Sequence, residues 1–196
     1  MTDEPSLIVG ISGASGAIYG VRLLEVLKQC GIRTHLIMSK AAQVTLALET
    51  SFKVAEVEKL ATEVYSNDDI AAACSSGSFA TRGMVVAPCS IKTMSEIATG
   101  VTPNLISRAA DVTLKERRRL VLMLRETPLH LGHIRSMAAV TEAGAVVYPP
   151  VPAFYAKPQS LDEMVDHTLG RVLDLFGIDA GLVRRWDGKR TRPTKD

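Results

Sequence analysis

Leu7-Ile8-Val9-Gly10-Ile11-Ser12-Gly13-Ala14-Ser15-Gly16-Ala17-Ile18-Tyr19-Gly20 is the stretch that decides the fold. An apolar run of strand character stops in small residues, and the apolar pattern resumes with helical spacing at Val21, Leu23, Leu24 and Leu27. The segment reads as a strand, a tight glycine-rich turn and a helix. Such a turn leaves unpaired N–H groups at a helix N-terminus, where a phosphate can bind. Glycine lets the backbone approach that ligand, because a Cβ would stand in the way. The spacing narrows the choice. A dinucleotide fingerprint reads G-x-G-x-x-G, with an acid about twenty residues on. Here glycines fall at 10, 13 and 16, and the next apolar run, Thr34 to Met38, ends in Ser39-Lys40 with no acid. A mononucleotide site with hydroxyls at Ser12, Ser15 and Ser39 is predicted. A Gly/Ser-rich turn with no ligand is the plainer alternative, and Lys40 leaves an NADP 2′-phosphate as a third.

Outward from this stretch, the pattern alternates. After the strand Thr34–Met38, helical spacing runs from Lys40 to Leu48 and again from Val54 to Val64, and residues 67–78 read as a polar, mobile loop. Met84 to Ala87 reads as a third strand halted by Pro88, followed by a helix from Ile91 to Thr99 that Ser90 caps and Gly100 ends. Pro103-Asn104 opens another helix to about Lys115, and Leu120 to Leu124 is a fourth strand. Thr127-Pro128 resembles an N-cap with proline at the first helical position, although the helix proper can start nearer Gly132; it ends at Gly144. Ala145 to Tyr148 is a fifth strand. Pro149, Pro150 and Pro152 then forbid sheet, and Ser160-Leu161-Asp162-Glu163 is a capping box opening a last helix to about Phe176. Strands alternating with helices, without repeat or linker, predict one α/β domain over residues 1–196. It should be Rossmann-like (flavodoxin-like), a three-layer α/β/α arrangement with a mainly parallel sheet. Ligands in such sheets bind outside the carboxyl ends of the strands. Those ends deliver Gly13 to Ser15, Ser39, Pro88-Cys89-Ser90, Arg125 to Pro128, and the proline loop with Tyr155. The set suits a phosphate and a polar ring system.

Composition excludes several classes. A chain of 196 residues, 46% hydrophobic and 22% charged, is ordinary for a globular protein with a real core. No apolar run approaches the roughly 18 to 20 residues of a membrane span. The polar start Thr2-Asp3-Glu4-Pro5 is not a signal peptide, so a cytoplasmic protein is predicted. Cys30, Cys74 and Cys89 are too few and too dispersed for disulfides or zinc, and His130 and His133 belong to no metal motif, so no metal is expected. The net charge of +2 hides a basic tail: residues 184–196 hold six basic and two acidic side chains, which leaves the rest of the chain at −2. With one aromatic, Trp186, and no basic surplus in the body, the tail reads as solvated or subunit-contacting, and no nucleic-acid partner is expected.

Six segments in order, G-I-S-G-A-S-G-A-I-Y-G, S-K-A-A, P-C-S-I-K-T, R-A-A-D-V-T-L-K-E-R-R, R-E-T-P-L-H and P-P-V-P-A-F-Y, resemble the UbiX-type flavin prenyltransferases from residue 7 to about 186. The resemblance implies an FMN-binding fold, a large homo-oligomer (a dodecamer in the family), and transfer of a dimethylallyl group from dimethylallyl phosphate to reduced FMN. The prenylated FMN serves a separate UbiD-type decarboxylase, as in ubiquinone biosynthesis. It also implies FMN contacts at Gly13, Ala14, Ser15, Ser39, Ser90, Ile91, Lys92, Thr93 and Arg125. Donor-phosphate contacts fall on Tyr155 and Arg171 with Lys115. Glu49 and Glu126 match acids near the reacting flavin, Ser15 stands between the two ligands, and Trp186 matches a C-terminal aromatic. The basic extension after Gly188, part of a tail spanning about 187–196, matches no family signature.

The implied chemistry suits these residue types. Cations can stabilise charge on the leaving phosphate without the metal that a diphosphate donor needs, and the chain has no D-D-x-x-D-like cluster. A carboxylate, Glu49 or Glu126, can move the proton between steps. Two rivals share the flavin: a cysteine decarboxylase, whose active-site histidine is missing between Lys40 and Leu48, and a non-catalytic FMN-carrying regulatory subunit, whose tail would be acidic. Taken alone, Arg171 reads as a surface ion pair, Glu49 as a solvated helix end, and Lys115 to Arg119 as a solvated charge run. Cys89 reads as a packing residue, because no histidine is placed to activate it.

Overall fold

The computed structural model describes residues 6–183 and Arg185. Its frame is a six-stranded, wholly parallel sheet in the order β3-β2-β1-β4-β5-β6. The strands are β1 (Ser6–Ile11), β2 (Thr34–Met38), β3 (Glu63–Ser66), β4 (Thr81–Cys89), β5 (Arg119–Leu124) and β6 (Val146–Val147). The helices are α1 (Ala17–Gln29), α2 (Lys40–Glu49), α3 (Val54–Glu58), α4 (Ile91–Thr99), α5 (Leu105–Lys115), α6 (Leu131–Glu142) and α7 (Leu161–Asp174). Sequence order reverses between β1 and β4, and that switch point opens a crevice at the carboxyl ends of the strands.

Every residue of β1 is buried, which is why it reads as a continuous apolar run and not an alternating one. Leu7, Val9 and Ile11 face a core built with Leu23, Leu24 and Leu27 of α1 and Leu169, Val172 and Leu173 of α7. Ile8 faces the other core, with Met94 of α4 and Leu105, Ile106 and Ala109 of α5. Each such leucine contributes about 1.5–3 kcal/mol by leaving water. Gly20 lets α1 press onto the sheet, since a Cβ there would lie 2.4 Å from the Ala87 carbonyl oxygen.

Three expectations need correction. The helix predicted from Val54 to Val64 stops at Glu58, and Glu63–Ser66 forms a sixth strand beside β2. That strand is short, mostly exposed and at the sheet edge, so it carries no apolar alternation to read. Strand β4 is not halted by Pro88. It runs to Cys89 through a cis Ala87–Pro88 bond, and its pairing with β5 shifts register between Val86 and Cys89, where proline offers no N–H. Pro128 follows another cis bond and does not open α6, which starts instead near Gly132, the alternative start. His130 takes the cap instead, its Nδ1 accepting from the Gly132 N–H at 3.0 Å, so the helix begins at Leu131. Elsewhere α4 and α7 start at their predicted caps, Ser90 and Ser160, α5 opens at Asn104 as expected, and α2 is capped by Ser39, which was read only as a ligand hydroxyl.

Candidate active site

The glycine-rich turn is used differently from the sequence expectation. The N-terminus of α1 is filled from within: Glu49 Oε2 accepts from the Gly16 and Ala17 N–H groups at 2.8 and 3.1 Å. Burial pushes the Glu49 carboxyl up, but hydrogen bonds from Ser15 and from both amides, with Arg125 nearby, outweigh it and hold it below the usual carboxylate range. The helix end that was expected to cradle a phosphate thus carries its own anion. Ser12 also leaves the ligand set. Its hydroxyl is buried, donating to the Pro88 carbonyl at 2.8 Å and accepting from the Ser90 N–H at 2.7 Å, which bolts the first turn to the β4–α4 turn.

The open helix ends lie next door. A cavity of about 360 Å³ is lined by Gly13, by Ser39 to Ala41 at the start of α2, by Ser90, Lys92 and Thr93 at the start of α4, and by Asn104 and Ile106 at the start of α5. Ser39 and Ser90 each cap their own helix, accepting from the Ala42 and Thr93 N–H groups, so their hydroxyls sit at positive helix ends. Lys92 pairs with Glu96 at 2.7 Å. Gly13 is required here by close approach: a Cβ would lie 2.4 Å from the Ala41 Cβ. Lys40 and Asp68, 28 residues apart and paired at 2.7 Å, flank the same cavity, a coupling that no local pattern announces. Backbone, hydroxyl and ammonium donors at helix ends fit a phosphomonoester such as that of FMN. The Ala14 side chain is buried, and Ile91 packs in part against the α4–α5 core.

A second cavity of about 390 Å³ adjoins through the same turn. Ser15, Leu124 to Thr127, and Pro149 to Pro152 line it. Arg125 Nε donates to the Ser15 carbonyl at 3.3 Å, and Glu126 Oε1 accepts from the Thr127 N–H at 3.0 Å. Tyr155 stands in a 3-10 turn (Phe154–Ala156) beyond these prolines, 53% exposed. Arg171 Nη1 pairs with Asp174 at 2.7 Å, and Arg185 holds the other oxygen of that carboxylate at 2.9 Å. Tyr148, just after β6, lies within electrostatic reach of both: burial pushes its hydroxyl up, while the charge of Arg171 opposes this and Tyr155 and Asp174 reinforce it.

Lys115 is not brought to this place. It ends α5, just before β5 begins, and so lies at the amino ends of the strands. It pairs with Glu116, and a Cβ on Gly77 would lie 2.6 Å from its Nζ. A strand of six residues spans roughly 20 Å, which separates Lys115 from the Arg125 rim of its own chain. Trp186 lies outside the described residues. Cys89 is fully buried in the α4–α5 core, and burial pushes its thiol up, as suits a packing residue. Among the described residues, no group of three or more His, Cys, Asp or Glu could hold a metal ion.

Comparison with known proteins agrees with this geometry. Residues 1–173 match the family model Flavoprotein. A flavin prenyltransferase UbiX of Escherichia coli K12 is 60% identical over 185 residues, covering 93% of this chain and 98% of the relative. A solved structure of AnUbiX in complex with FMN and dimethylallyl pyrophosphate superposes with a TM-score of 0.93 at 49% identity, over 95% of this chain and all of that one. A dodecameric FMN-dependent UbiX-like decarboxylase from E. coli O157:H7 gives a TM-score of 0.91 at 47% identity, over 93% and 100% of the two chains.

Proposed function

The chain belongs to the UbiX flavin prenyltransferases within the wider flavoprotein family, and we infer from this and from the paired cavities that it prenylates FMN. It transfers a dimethylallyl group from dimethylallyl phosphate to reduced FMN, and the product serves a UbiD-type decarboxylase. The observation that carries the reading is the three-residue turn Gly13–Ser15, whose first residue lines one cavity and whose last lines the other. A flavin held by the first is thereby presented to a donor in the second.

Reduced FMN supplies, when bound, the electron-rich ring that accepts the dimethylallyl group. The roles of the chain's own residues follow from their positions. Ser39, Ser90, Thr93 and Lys92 hold the flavin phosphate, with the backbone of Gly13, Ala14 and Ile91 completing the cradle, and Arg125, on the wall of the second cavity, meets the flavin where the two cavities adjoin. Tyr155 and Arg171 take the donor phosphate and stabilise the charge it gains on leaving. The proton-moving role falls to Glu126, which lines the second cavity, whereas the Glu49 carboxylate is already shared by Ser15 and two amides. Glu49 therefore acts by fixing Ser15 between the two ligands. Lys115 can reach a donor phosphate only from another copy of the chain, in keeping with assembly as a dodecamer. We place the enzyme in the cytoplasm; among the described residues no helix is long and apolar enough to cross a membrane.

Anaerobic incubation with reduced FMN and dimethylallyl phosphate, followed by mass spectrometry of the flavin, tests the reading. Prenylated FMN is expected, and recovery of unmodified FMN alone would overturn it.

A further inference from the structure

Helix α7 carries one more polar side chain beside the donor pocket. His167 is 8% exposed, and its Nε2 is buried with no hydrogen-bond partner among the described residues. It stands four residues before Arg171, so the two side chains share one face of the helix. Its ring meets Tyr155 edge to face, with centroids 5.7 Å apart and an interplanar angle of 81°. No residue of the Phe154–Ala156 turn is buried, so this ring contact ties an otherwise exposed turn to α7.

A buried nitrogen left unpaired is destabilising, and native proteins keep few of them. A core packing role would be met equally well by leucine or phenylalanine. Histidine here offers both a flat ring for Tyr155 and a hydrogen-bonding atom one helical turn from Arg171. We propose that His167 is a positioning residue of the donor-phosphate site, holding the Tyr155 ring beside Arg171 and pairing its Nε2 when the turn closes over the donor. The inference rests on the prenyltransferase reading and adds to it a residue that acts through Tyr155.

Steady-state kinetics with dimethylallyl phosphate, alongside FMN titration, test it on His167→Ala, His167→Phe and the same changes combined with Tyr155→Ala. His167→Ala is expected to raise KM for the donor about tenfold, the order of one lost interaction of this kind, with kcat within about threefold and FMN affinity unchanged. His167→Phe keeps the ring contact and loses the nitrogen, so its KM should fall between the wild type and His167→Ala. Once Tyr155 is alanine, changing His167 should cost nothing more, because the two act as a unit. Wild-type KM in His167→Phe would show the nitrogen idle and overturn the proposal. So would additive losses in the double variants, or a parallel loss of FMN binding. Failure of the underlying reading would look different: the wild-type protein itself would make no prenylated FMN.

Discussion

At the scale of single residues, the proposed roles divide the two phosphates between different kinds of donor. The cavity proposed for FMN is lined by helix ends, hydroxyls and Lys92, whereas Tyr155 and Arg171, proposed for the donor phosphate, stand on a 3-10 turn and on α7. Arg171 is 47% exposed and leans on Asp174, which Arg185 also grips, so the guanidinium is oriented before any ligand arrives. The surface ion pair that its sequence position suggests is present, and it is compatible with phosphate binding because Asp174 occupies one nitrogen of a five-donor fork. Losing one charged partner of a desolvated phosphate costs about 2–5 kcal/mol. Discounted for exposure, Arg171→Ala should still cut prenyl transfer by roughly two orders of magnitude, at 1.4 kcal/mol per decade. FMN affinity, read by flavin fluorescence, should stay near that of the wild type. Equal loss of flavin and activity would refute the division of the two phosphates.

At the scale of elements, the first turn acts as a wedge between α1 and α2. Gly13 touches Ala41 so closely that Gly13→Ala must push the start of α2 outward, and Ser39 caps that helix. Overpacking of this kind costs about 1–3 kcal/mol. The variant should melt at lower temperature and bind FMN at least about tenfold more weakly, because the displaced helix end lines the flavin cavity. Unchanged binding by titration would remove the α2 end from the cradle. The elements that were legible in the sequence are those with strong local signals: the caps Ser90 and Ser160, the helix opening at Asn104, and the apolar runs of β1, β2 and β5. Strand β3 was not, because an exposed edge strand is specified by its neighbour β2 and not by its own pattern. The filling of the α1 end by Glu49 was equally hidden, since the two lie 33 residues apart and meet only after α2 has packed. The same holds for Ser12, whose hydroxyl looks like a ligand group until β4 supplies its partners.

At the scale of the whole molecule, the proposed donor site draws on more than one chain. Lys115 belongs to the donor-phosphate set by family resemblance, yet the fold carries it to the amino ends of the strands, where it faces Gly77 and Glu116. The same chain leaves Leu48 81% and Phe154 78% exposed, the latter on the turn that bears Tyr155. Large apolar side chains so exposed beside a site mark a surface that other copies cover. If Lys115 of one copy meets Arg171 of another, two inactive variants should rescue each other. Lys115→Ala and Arg171→Ala are each expected to abolish most prenyl transfer alone while retaining FMN. Co-expressed in equal amounts, they should form mixed oligomers in which about one quarter of the sites combine an intact Lys115 from one variant with an intact Arg171 from the other. Activity of the purified mixed oligomer, set against the sum of the two separate variants, reads the arrangement directly. Rescue to about that fraction of wild-type rate locates the site between chains. No rescue, in oligomers shown by mass to contain both variants, would put Lys115 outside the donor site and leave its pairing with Glu116 as its role.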